Sequence, residues 1–198
     1  MSSIVGVVRY GNAGNIHSIV KAIEKANGIV QIIEKPSDFD LVDRIVLPGV
    51  GSFYDGMTEL KDRGLINCIT SSKKPTLGIC LGMQLLSKIG FEYGRSEGLG
   101  VINAEVKKIV CDGPVPHVGF NKIIATGETL LLKDLDSEYF YFMHSFEVVN
   151  YTNIVALTEY LGHEIVSVVK KDNFYGVQFH PEKSRDAGIK LFKNFLSI

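Results

Sequence analysis

The sequence is poor in cysteine, balanced in charge and free of long apolar runs. Its three cysteines, Cys68, Cys80 and Cys111, are odd in number and lack the spacing of metal ligands. We therefore expect reduced thiols, no disulfide framework and no metal site. The formal net charge of -1 gives nucleic acid and anionic membranes no electrostatic reason to bind, and we expect neither as a partner.

Two further absences bear on location and on the number of domains. Met1–Val5 shows no basic segment followed by a long apolar core, and no apolar run reaches membrane-spanning length. We therefore expect a cytoplasmic protein. The 198 residues contain no internal repeat, low-complexity tract or linker, which predicts one domain spanning residues 1–198.

The N-terminal half alternates between short apolar runs and helical patterns, as in an α/β fold. Predicted strands are Ile4–Val8, Ile29–Ile33, Arg44–Leu47 and the run after Pro75, and helical patterns begin at Ile16, cover Leu60–Ile69 and run from Met83 to near Gly90. The glycines after the first strand, at positions 11 and 14, do not form a dinucleotide-binding fingerprint, and no Walker lysine follows. We expect no cofactor.

The C-terminal half contains short strand-like runs broken by Gly, Pro and Asp. They are Gly98–Ile102, Ala104–Val110, Asn121–Ile124, Tyr139–Met143, Glu147–Val149, Ile154–Leu157, Ile165–Val169 and Tyr175–Phe179, and a helical pattern over Ala187–Leu196 follows them. The whole predicts a single-domain α/β fold. Its central, mostly parallel sheet would be flanked by helices and would continue into an antiparallel or mixed extension formed by the short strands.

The segment Gly78-Ile79-Cys80-Leu81-Gly82 lies where the strand after Pro75 meets a helical pattern. A nucleophile with glycine two residues away on either side is typical of the nucleophile elbow, here with sulfur in place of oxygen. A side chain at either glycine would collide with the tight turn that exposes residue 80 in a strained conformation. The following helix would direct its N–H groups at the sulfur and favour the thiolate. A buried structural cysteine is the alternative.

A second glycine-rich segment, Pro48-Gly49-Val50-Gly51, follows the strand Arg44–Leu47. Its backbone N–H groups have little side-chain cover, so they could hold an anion or the oxyanion of a tetrahedral intermediate. A plain turn is the alternative.

A cysteine nucleophile needs a base and an acid that orients the base, and five histidines are available. Three of them lie in a predicted helix, turn or loop, namely His17, His163 and His117. His144 and His180 each follow an aromatic-rich strand. His180 is favoured because Pro181 and Glu182 follow it, and an extended backbone would put imidazole and carboxylate on the same side. A core histidine is the alternative at both positions.

These segments resemble the class I (triad) glutamine amidotransferases, and the resemblance covers the whole chain. Its motifs are Pro48-Gly49-Val50-Gly51, Leu77–Gln84, Val115–Asn121, His144-Ser145-Phe146, Gln178–Glu182 and Lys183-Ser184. Within that family they closely resemble the glutaminase subunits of imidazole glycerol phosphate synthase. The resemblance implies hydrolysis of glutamine to glutamate, with ammonia passed along a protected path to a synthase subunit in a heterodimer.

The resemblance also implies a role for each motif residue. Cys80 would be the nucleophile, His180 the acid and base, and Glu182 the group that orients His180. The other implied roles are an oxyanion hole from the Gly49–Val50 peptide and Leu81, glutamine contacts at Gln84, His144 and Ser145, and a partner interface at Asn15, Val118, Phe120 and Lys183.

Two positions depart from the pattern of the histidine pathway. Phe120 stands where tryptophan is usual, and Phe146 where tyrosine is usual. Relatives that feed ammonia to a sugar-modifying synthase for surface polysaccharides resemble this chain around Phe120. We expect the cyclase subunit of imidazole glycerol phosphate synthase as ammonia acceptor, with a sugar-modifying synthase as the alternative. Hydrolysis of other small amides and a non-catalytic regulatory role are further alternatives, which do not account for Gln84 or for the intact triad.

Overall fold

An eight-stranded mixed sheet forms the centre of the fold. The computed structural model describes residues 3–10 and 16–198. In spatial order the strands are β2 (Ile29–Ile33), β1 (Ile4–Val8), β3 (Arg44–Leu47), β4 (Thr76–Ile79), β14 (Phe174–Val177), β13 (His163–Lys171), β12 (Ile154–Tyr160) and β9 (Ile124–Ala125). The first five run parallel, and the last three pair antiparallel. The predicted α/β fold with an antiparallel extension is confirmed.

Helices cover both faces of the parallel half of this sheet. One face packs against α1 (Ile16–Lys25) and α5 (Arg185–Ser197), and the other against α2 (Phe53–Asp62), α3 (Ile66–Thr70) and α4 (Leu81–Leu85). Strand β4 is buried at every residue for this reason, which explains its continuous apolar run. The carboxyl ends of β3, β4 and β14 lie side by side, so the segments that follow them meet at one edge of the sheet.

Two smaller sheets lie beside the central one. The first has the order β11 (Phe146–Val149), β7 (Ile102–Lys108), β5 (Ser87–Gly90) and β6 (Ser96–Glu97), and the second pairs β10 (Tyr139–His144) with β8 (His117–Lys122). Of the short C-terminal strands, β9, β12 and β13 therefore form the antiparallel extension of the central sheet, and β14 joins its parallel half. A strand pattern in the sequence predicts extended backbone, but it does not specify the strand's partner.

The helix predicted over Leu60–Ile69 is wrong in its bounds. The structure has two helices there, α2 and α3, separated by a turn at Gly64. Gly64 has a φ of 69°, in the left-handed region where a glycine commonly ends a helix.

The helix after Cys80 is also shorter than predicted. It ends at Leu85, and β5 begins at Ser87 in the stretch that was expected to stay helical. The carbonyl oxygens of Leu85 and Leu86 accept hydrogen bonds from the N–H groups of Leu99 and Ile102. Pairing with a distant segment therefore uses the acceptors that a longer helix would need. In the described ranges, no helix combines the length and the hydrophobicity needed to cross a bilayer.

Candidate active site

Cys80 lies on a strained turn between β4 and α4, as predicted for a nucleophile elbow. Its φ of 48° and ψ of -104° are unusual for a residue with a side chain. A Cβ added at Gly82 would lie 2.0 Å from the carbonyl oxygen of Leu47, and one at Gly78 would lie 2.5 Å from that of Gly82. The two glycines therefore let the elbow pack directly against backbone on both sides.

The thiol of Cys80 faces a cavity of about 370 Å³. Cys80 is only 7% exposed, so the prediction that its side chain projects into open solvent is wrong. The loop around Gly49 and the end of β10 also line the cavity, and Sγ lies 3.9 Å from the carbonyl oxygen of Met143. Helix α4 has five residues, which limits the contribution that its dipole can make at the sulfur.

His180 and Glu182 approach Cys80 from the segment after β14. His180 lines the cavity, and its Nδ1 lies 2.8 Å from Oε1 of Glu182, with both side chains almost fully buried. The predicted hydrogen bond is therefore present, but an extended backbone does not produce it. Pro181–Lys183 form a 3-10 turn that brings Glu182 back to the ring, and the Ser184 hydroxyl donates to the carbonyl of His180 at 2.6 Å.

The charges around His180 favour its protonated form. Burial alone would lower the pKa of His180, but the negative charge of Cys80 and its contact with the ring raise it, and Glu182 acts in the same direction. The result is a pKa of about 10 for His180, against 6.5 for an ordinary histidine. The favoured form of His180 at neutral pH is therefore the imidazolium, which suits a position beside a cysteine nucleophile.

His144 also lines the cavity, but both of its ring nitrogens are engaged within the protein. Nδ1 lies 2.8 Å from the carbonyl oxygen of Phe146, and Nε2 lies 3.1 Å from Nδ1 of His117. Burial lowers the pKa of His144 to about 3, and the bond to Phe146 only partly opposes this effect. A ring with both nitrogens occupied is poorly placed to accept the proton of Cys80, so the geometry favours His180 as the base.

His117 was expected in a loop, but it begins strand β8 and is fully buried. Its Nε2 lies 2.8 Å from Oδ1 of Asn121, and its ring stacks on Phe142 and Tyr160. Burial lowers the pKa of His117. These contacts describe a satisfied core histidine.

The expected donors of the oxyanion hole, Gly49, Val50 and Leu81, line the cavity beside Cys80. A Cβ added at Gly49 would lie 1.9 Å from the carbonyl oxygen of Ile79. Only glycine therefore allows this loop to pass so close to the elbow.

Tyr10, two residues after β1, contacts the same loop, and no sequence motif indicated it. Its buried hydroxyl donates a hydrogen bond to the carbonyl oxygen of Pro48. Burial, assisted by the nearby charge of Cys80, raises the pKa of Tyr10, so the phenol stays protonated and remains a donor. The start of the loop is thus attached to the segment that follows β1.

The predicted glutamine contacts Gln84, His144 and Ser145 all line the cavity. Gln84 Nε2 donates to the carbonyl of Phe146 at 2.9 Å and to Oε1 of Gln178 at 3.2 Å, so its amide oxygen is the group that can accept from a ligand. Glu92, which follows β5 and belongs to no recognisable motif, also lines the cavity. A carboxylate there suits the ammonium group of an amino acid.

The described residues of the predicted partner interface lie on one surface of β8 and β10 or, for Lys183, against it. Val118 and Phe120 are exposed on β8, in register with Met143 and Tyr141 on β10. The rings of Phe120 and Tyr141 are 5.5 Å apart, and Nζ of Lys183 lies 5.7 Å from the centre of the Tyr141 ring. Because Met143 also lines the cavity, this surface adjoins the site.

Asn15, the fourth predicted interface position, lies outside the described residues. Arg185, which sequence reasoning missed, places its guanidinium carbon 5.2 Å from the centre of the Phe120 ring. Within residues 3–10 and 16–198, no group of three or more His, Cys, Asp or Glu side chains could hold a metal ion.

Curated relatives match this chain over nearly its whole length. It is 40% identical over 202 residues to the imidazole glycerol phosphate synthase subunit HisH 1 of Campylobacter jejuni strain RM1221, covering 98% of this chain and 100% of that protein. It is 41% identical over 186 residues to the imidazole glycerol phosphate synthase subunit HisH of Yersinia pseudotuberculosis, covering 93% of this chain and 94% of that protein.

Solved structures share the fold. A crystal structure described as a glutamine amidotransferase has a TM-score of 0.76 at 16% identity, covering 98% of this chain and 99% of that one. A glutamine amidotransferase from Thermotoga maritima has a TM-score of 0.65 at 20% identity, covering 100% of this chain and 85% of that one. The family described as glutamine amidotransferase class-I matches residues 8–198. With that match and with relatives near 40% identity, this chain belongs to the class I glutamine amidotransferase family.

Proposed function

We propose that this chain is the glutaminase subunit of imidazole glycerol phosphate synthase, which supplies ammonia to the cyclase subunit for histidine biosynthesis. Residues 1–198 would form one amidotransferase domain. The observation that supports it is the arrangement of the triad. Cys80 lies on a strained elbow facing a cavity that His180 also lines, and Glu182 bonds Nδ1 of the His180 ring. The names of the Campylobacter and Yersinia relatives support the choice of synthase.

The reaction begins with attack of the Cys80 thiolate on the side-chain amide carbon of glutamine. The new S–C bond moves an electron pair onto the amide oxygen and forms a tetrahedral oxyanion. The backbone N–H of Leu81 and one N–H from the Gly49–Val50 peptide, all on the cavity wall, would stabilise this charge. One such donor contributes about 3 kcal/mol to the transition state.

His180 holds the proton that the leaving group needs. Its pKa of about 10 means that the ring enters the reaction as an imidazolium. The ring gives its Nε2 proton to the departing nitrogen, the C–N bond breaks, and ammonia leaves a glutamyl thioester on Cys80. The neutral ring then takes a proton from water, whose oxygen attacks the thioester carbon. Glutamate leaves, and the thiolate and the imidazolium are restored.

The polar groups of the cavity wall suit the amino-acid end of glutamine. The carboxylate of Glu92 would attract the ammonium group, and the amide oxygen of Gln84 would accept a hydrogen bond from it. Ser145 and the backbone around Gly49 would hold the carboxylate, with His144 forming part of the wall.

Ammonia must pass to the partner without loss to water, so the partner should cover the mouth of the cavity. The surface of Val118, Phe120 and Lys183 adjoins the cavity through Met143, and Asn15 would belong to the same interface. A reduced cysteine nucleophile and a biosynthetic role both favour a cytoplasmic location for the protein, because thiols stay reduced there.

A complex reconstituted with the cyclase subunit tests the proposal. Cys80→Ala should abolish glutamine-dependent product formation and leave the ammonia-dependent rate unchanged, because the cyclase does not need the thiol when ammonia is supplied. Cys68→Ala, at a half-buried cysteine of α3, is the matched control and should leave both rates unchanged. Retention of the glutamine-dependent rate in Cys80→Ala would overturn the proposal.

The same complex also tests the alternative ammonia acceptor, a sugar-modifying synthase. Phe120, in place of the usual tryptophan, is the observation that favours a sugar-modifying synthase. Failure to bind the cyclase, together with ammonia supply to a sugar-modifying synthase, would replace the proposed pathway and leave the glutaminase chemistry in place.

A further inference from the structure

Gln178 is buried behind the nucleophile, and the family resemblance implied no role for its side chain. It follows β14 and is 0% exposed, and its backbone N–H donates to the carbonyl of Ser167 at 2.9 Å. Its side-chain Nε2 lies 3.5 Å from Sγ of Cys80. An amide group therefore contacts the reacting sulfur from inside the protein.

The orientation of this amide follows from its neighbours. The carbonyl of Phe146 can only accept a hydrogen bond, so the nitrogen of Gln84, 2.9 Å away, must face it. The same nitrogen then donates its second hydrogen to the oxygen of Gln178 at 3.2 Å. With its oxygen occupied in this way, Gln178 must turn its nitrogen toward the sulfur. The reverse orientation would oppose two NH₂ groups and place an oxygen against the thiolate.

We propose that Gln178 is a further catalytic residue, an N–H donor that stabilises and holds the Cys80 thiolate. The inference rests on the proposed function, because it takes Cys80 as the nucleophile. A hydrogen bond to an ionised acceptor is stronger than one to a neutral group, so this donor favours the thiolate over the thiol. It also fixes the sulfur from the side of the protein interior, leaving the cavity side open to glutamine.

The same pair of amides connects the substrate site with the nucleophile. Gln84 lines the cavity and orients Gln178, and Gln178 contacts the sulfur. A ligand that donates a hydrogen bond to the amide oxygen of Gln84 would polarise the two linked amides and strengthen the hydrogen bond from Gln178 to the sulfur.

Alkylation of Cys80 by iodoacetamide, followed peptide by peptide with mass spectrometry, measures this effect. Gln178→Met keeps a similar volume and removes the donor. We expect the rate at Cys80 to fall about tenfold at about pH 6 in this variant. At about pH 10, where thiols are largely ionised in any case, the rates of variant and parent should agree within about twofold.

Internal and matched controls accompany the measurement. Cys68 and Cys111, both half-buried and free, should react at their parent rates in the same molecules. Ser167→Ala alters a buried polar side chain next to Gln178 without touching the sulfur, and its Cys80 profile should match that of the parent. Gln178→Glu keeps the acceptor for Gln84 and puts a carboxylate oxygen against the sulfur, so it should slow alkylation more than Gln178→Met. A Gln178→Met profile equal to that of the parent would overturn the proposal.

A measurement on the native protein covers the case in which the variants do not fold. The chain has three glutamines, Gln31, Gln84 and Gln178, so nitrogen-15 labelling of glutamine gives three pairs of side-chain amide signals. Capping Cys80 with iodoacetamide removes the thiolate acceptor and should shift the Gln178 amide protons, with Gln31 unchanged. No shift of a buried amide signal would contradict the proposal.

The outcomes separate this inference from the proposed function. If Cys80→Ala abolishes glutamate release and Gln178→Met reacts like the parent, the role of Gln178 is refuted and the glutaminase stands. If Cys80→Ala still releases glutamate at the parent rate, both are refuted.

Discussion

Tyr10→Phe tests whether the oxyanion loop is held by a single buried hydrogen bond. The Tyr10 hydroxyl donates to the carbonyl of Pro48, the residue before Gly49, and Tyr10 is almost fully buried. Phenylalanine keeps the ring in its place and removes only the donor. The carbonyl of Pro48 then loses its partner in the interior, and the Gly49–Val50 peptide is less firmly held.

The expected size of the effect follows from these contacts. A buried acceptor left without its donor costs about 1–3 kcal/mol of folding free energy. At this chain length each kcal/mol lowers the melting temperature by about 2–4 °C. We expect kcat for glutamate release to fall about tenfold with a smaller change in KM, because an oxyanion donor acts in the transition state and not in the bound substrate.

Tyr151→Phe is the matched control for this prediction. Its hydroxyl also donates to a backbone carbonyl, that of Lys170, at 3.1 Å, and Tyr151 does not line the cavity. Thermal unfolding and steady-state glutaminase kinetics should show lost stability in both variants and lost kcat in Tyr10→Phe alone. A normal kcat in a destabilised Tyr10→Phe protein would refute the anchoring of the loop by Tyr10.

Three further predictions concern the triad, pH and the partner. In the steady-state assay His180→Ala should lose nearly as much activity as Cys80→Ala, because residues acting as one unit are not additive, and Glu182→Gln should lose less. A larger loss in His144→Ala than in His180→Ala would contradict the choice of base. The pKa of His180 is raised to about 10 despite burial, so its contribution to stability is complete below about pH 6.5 and disappears as pH rises through about 10. In denaturant titrations over that pH range, the free energy of unfolding should fall more steeply in the parent than in Cys80→Ala, which lacks the charge that raises this pKa. Parallel curves would exclude an ion pair between Cys80 and His180. Phe120→Ala should weaken cyclase binding by about 2 kcal/mol, and Phe120→Trp should not strengthen it, because overpacking is also costly. Titration calorimetry measures both variants; unchanged binding of the alanine variant would remove Phe120 from the interface, and tighter binding of the tryptophan variant would indicate a partner pocket shaped for tryptophan.

The elbow was predictable because its sequence signature is local. Gly78 and Gly82 flank Cys80 within five residues; a Cβ at Gly78 would meet the backbone of the elbow itself, whereas the reason for Gly82, close approach to Leu47 of β3, appears only in the structure. The spacing of His180 and Glu182 likewise brings base and orienting acid together without any distant contact. Short motifs of this type can be recognised from residue types at fixed spacing, without knowledge of distant contacts.

The remaining features depend on segments that are far apart in the sequence. The engagement of His144 by His117 requires the pairing of β10 with β8, and the contact of Gln178 with Cys80 requires β14 to lie beside β4. Likewise, α4 ends at Leu85 because residues 99–102 supply new hydrogen-bond donors to its last carbonyls. No local pattern contains this information, so sequence reasoning placed His117 in a loop, extended α4 and missed Gln178.

Covalent trapping with a glutamine-like diazoketone tests the central claim most directly. The reagent mimics glutamine and is captured only by a nucleophile in the glutamine site, so digestion and mass spectrometry identify that residue. The account predicts one label per chain, on Cys80, prevented by excess glutamine and reduced in His180→Ala. A label on Cys68 or Cys111, or an unlabelled Cys80 in a preparation that releases glutamate, would contradict it.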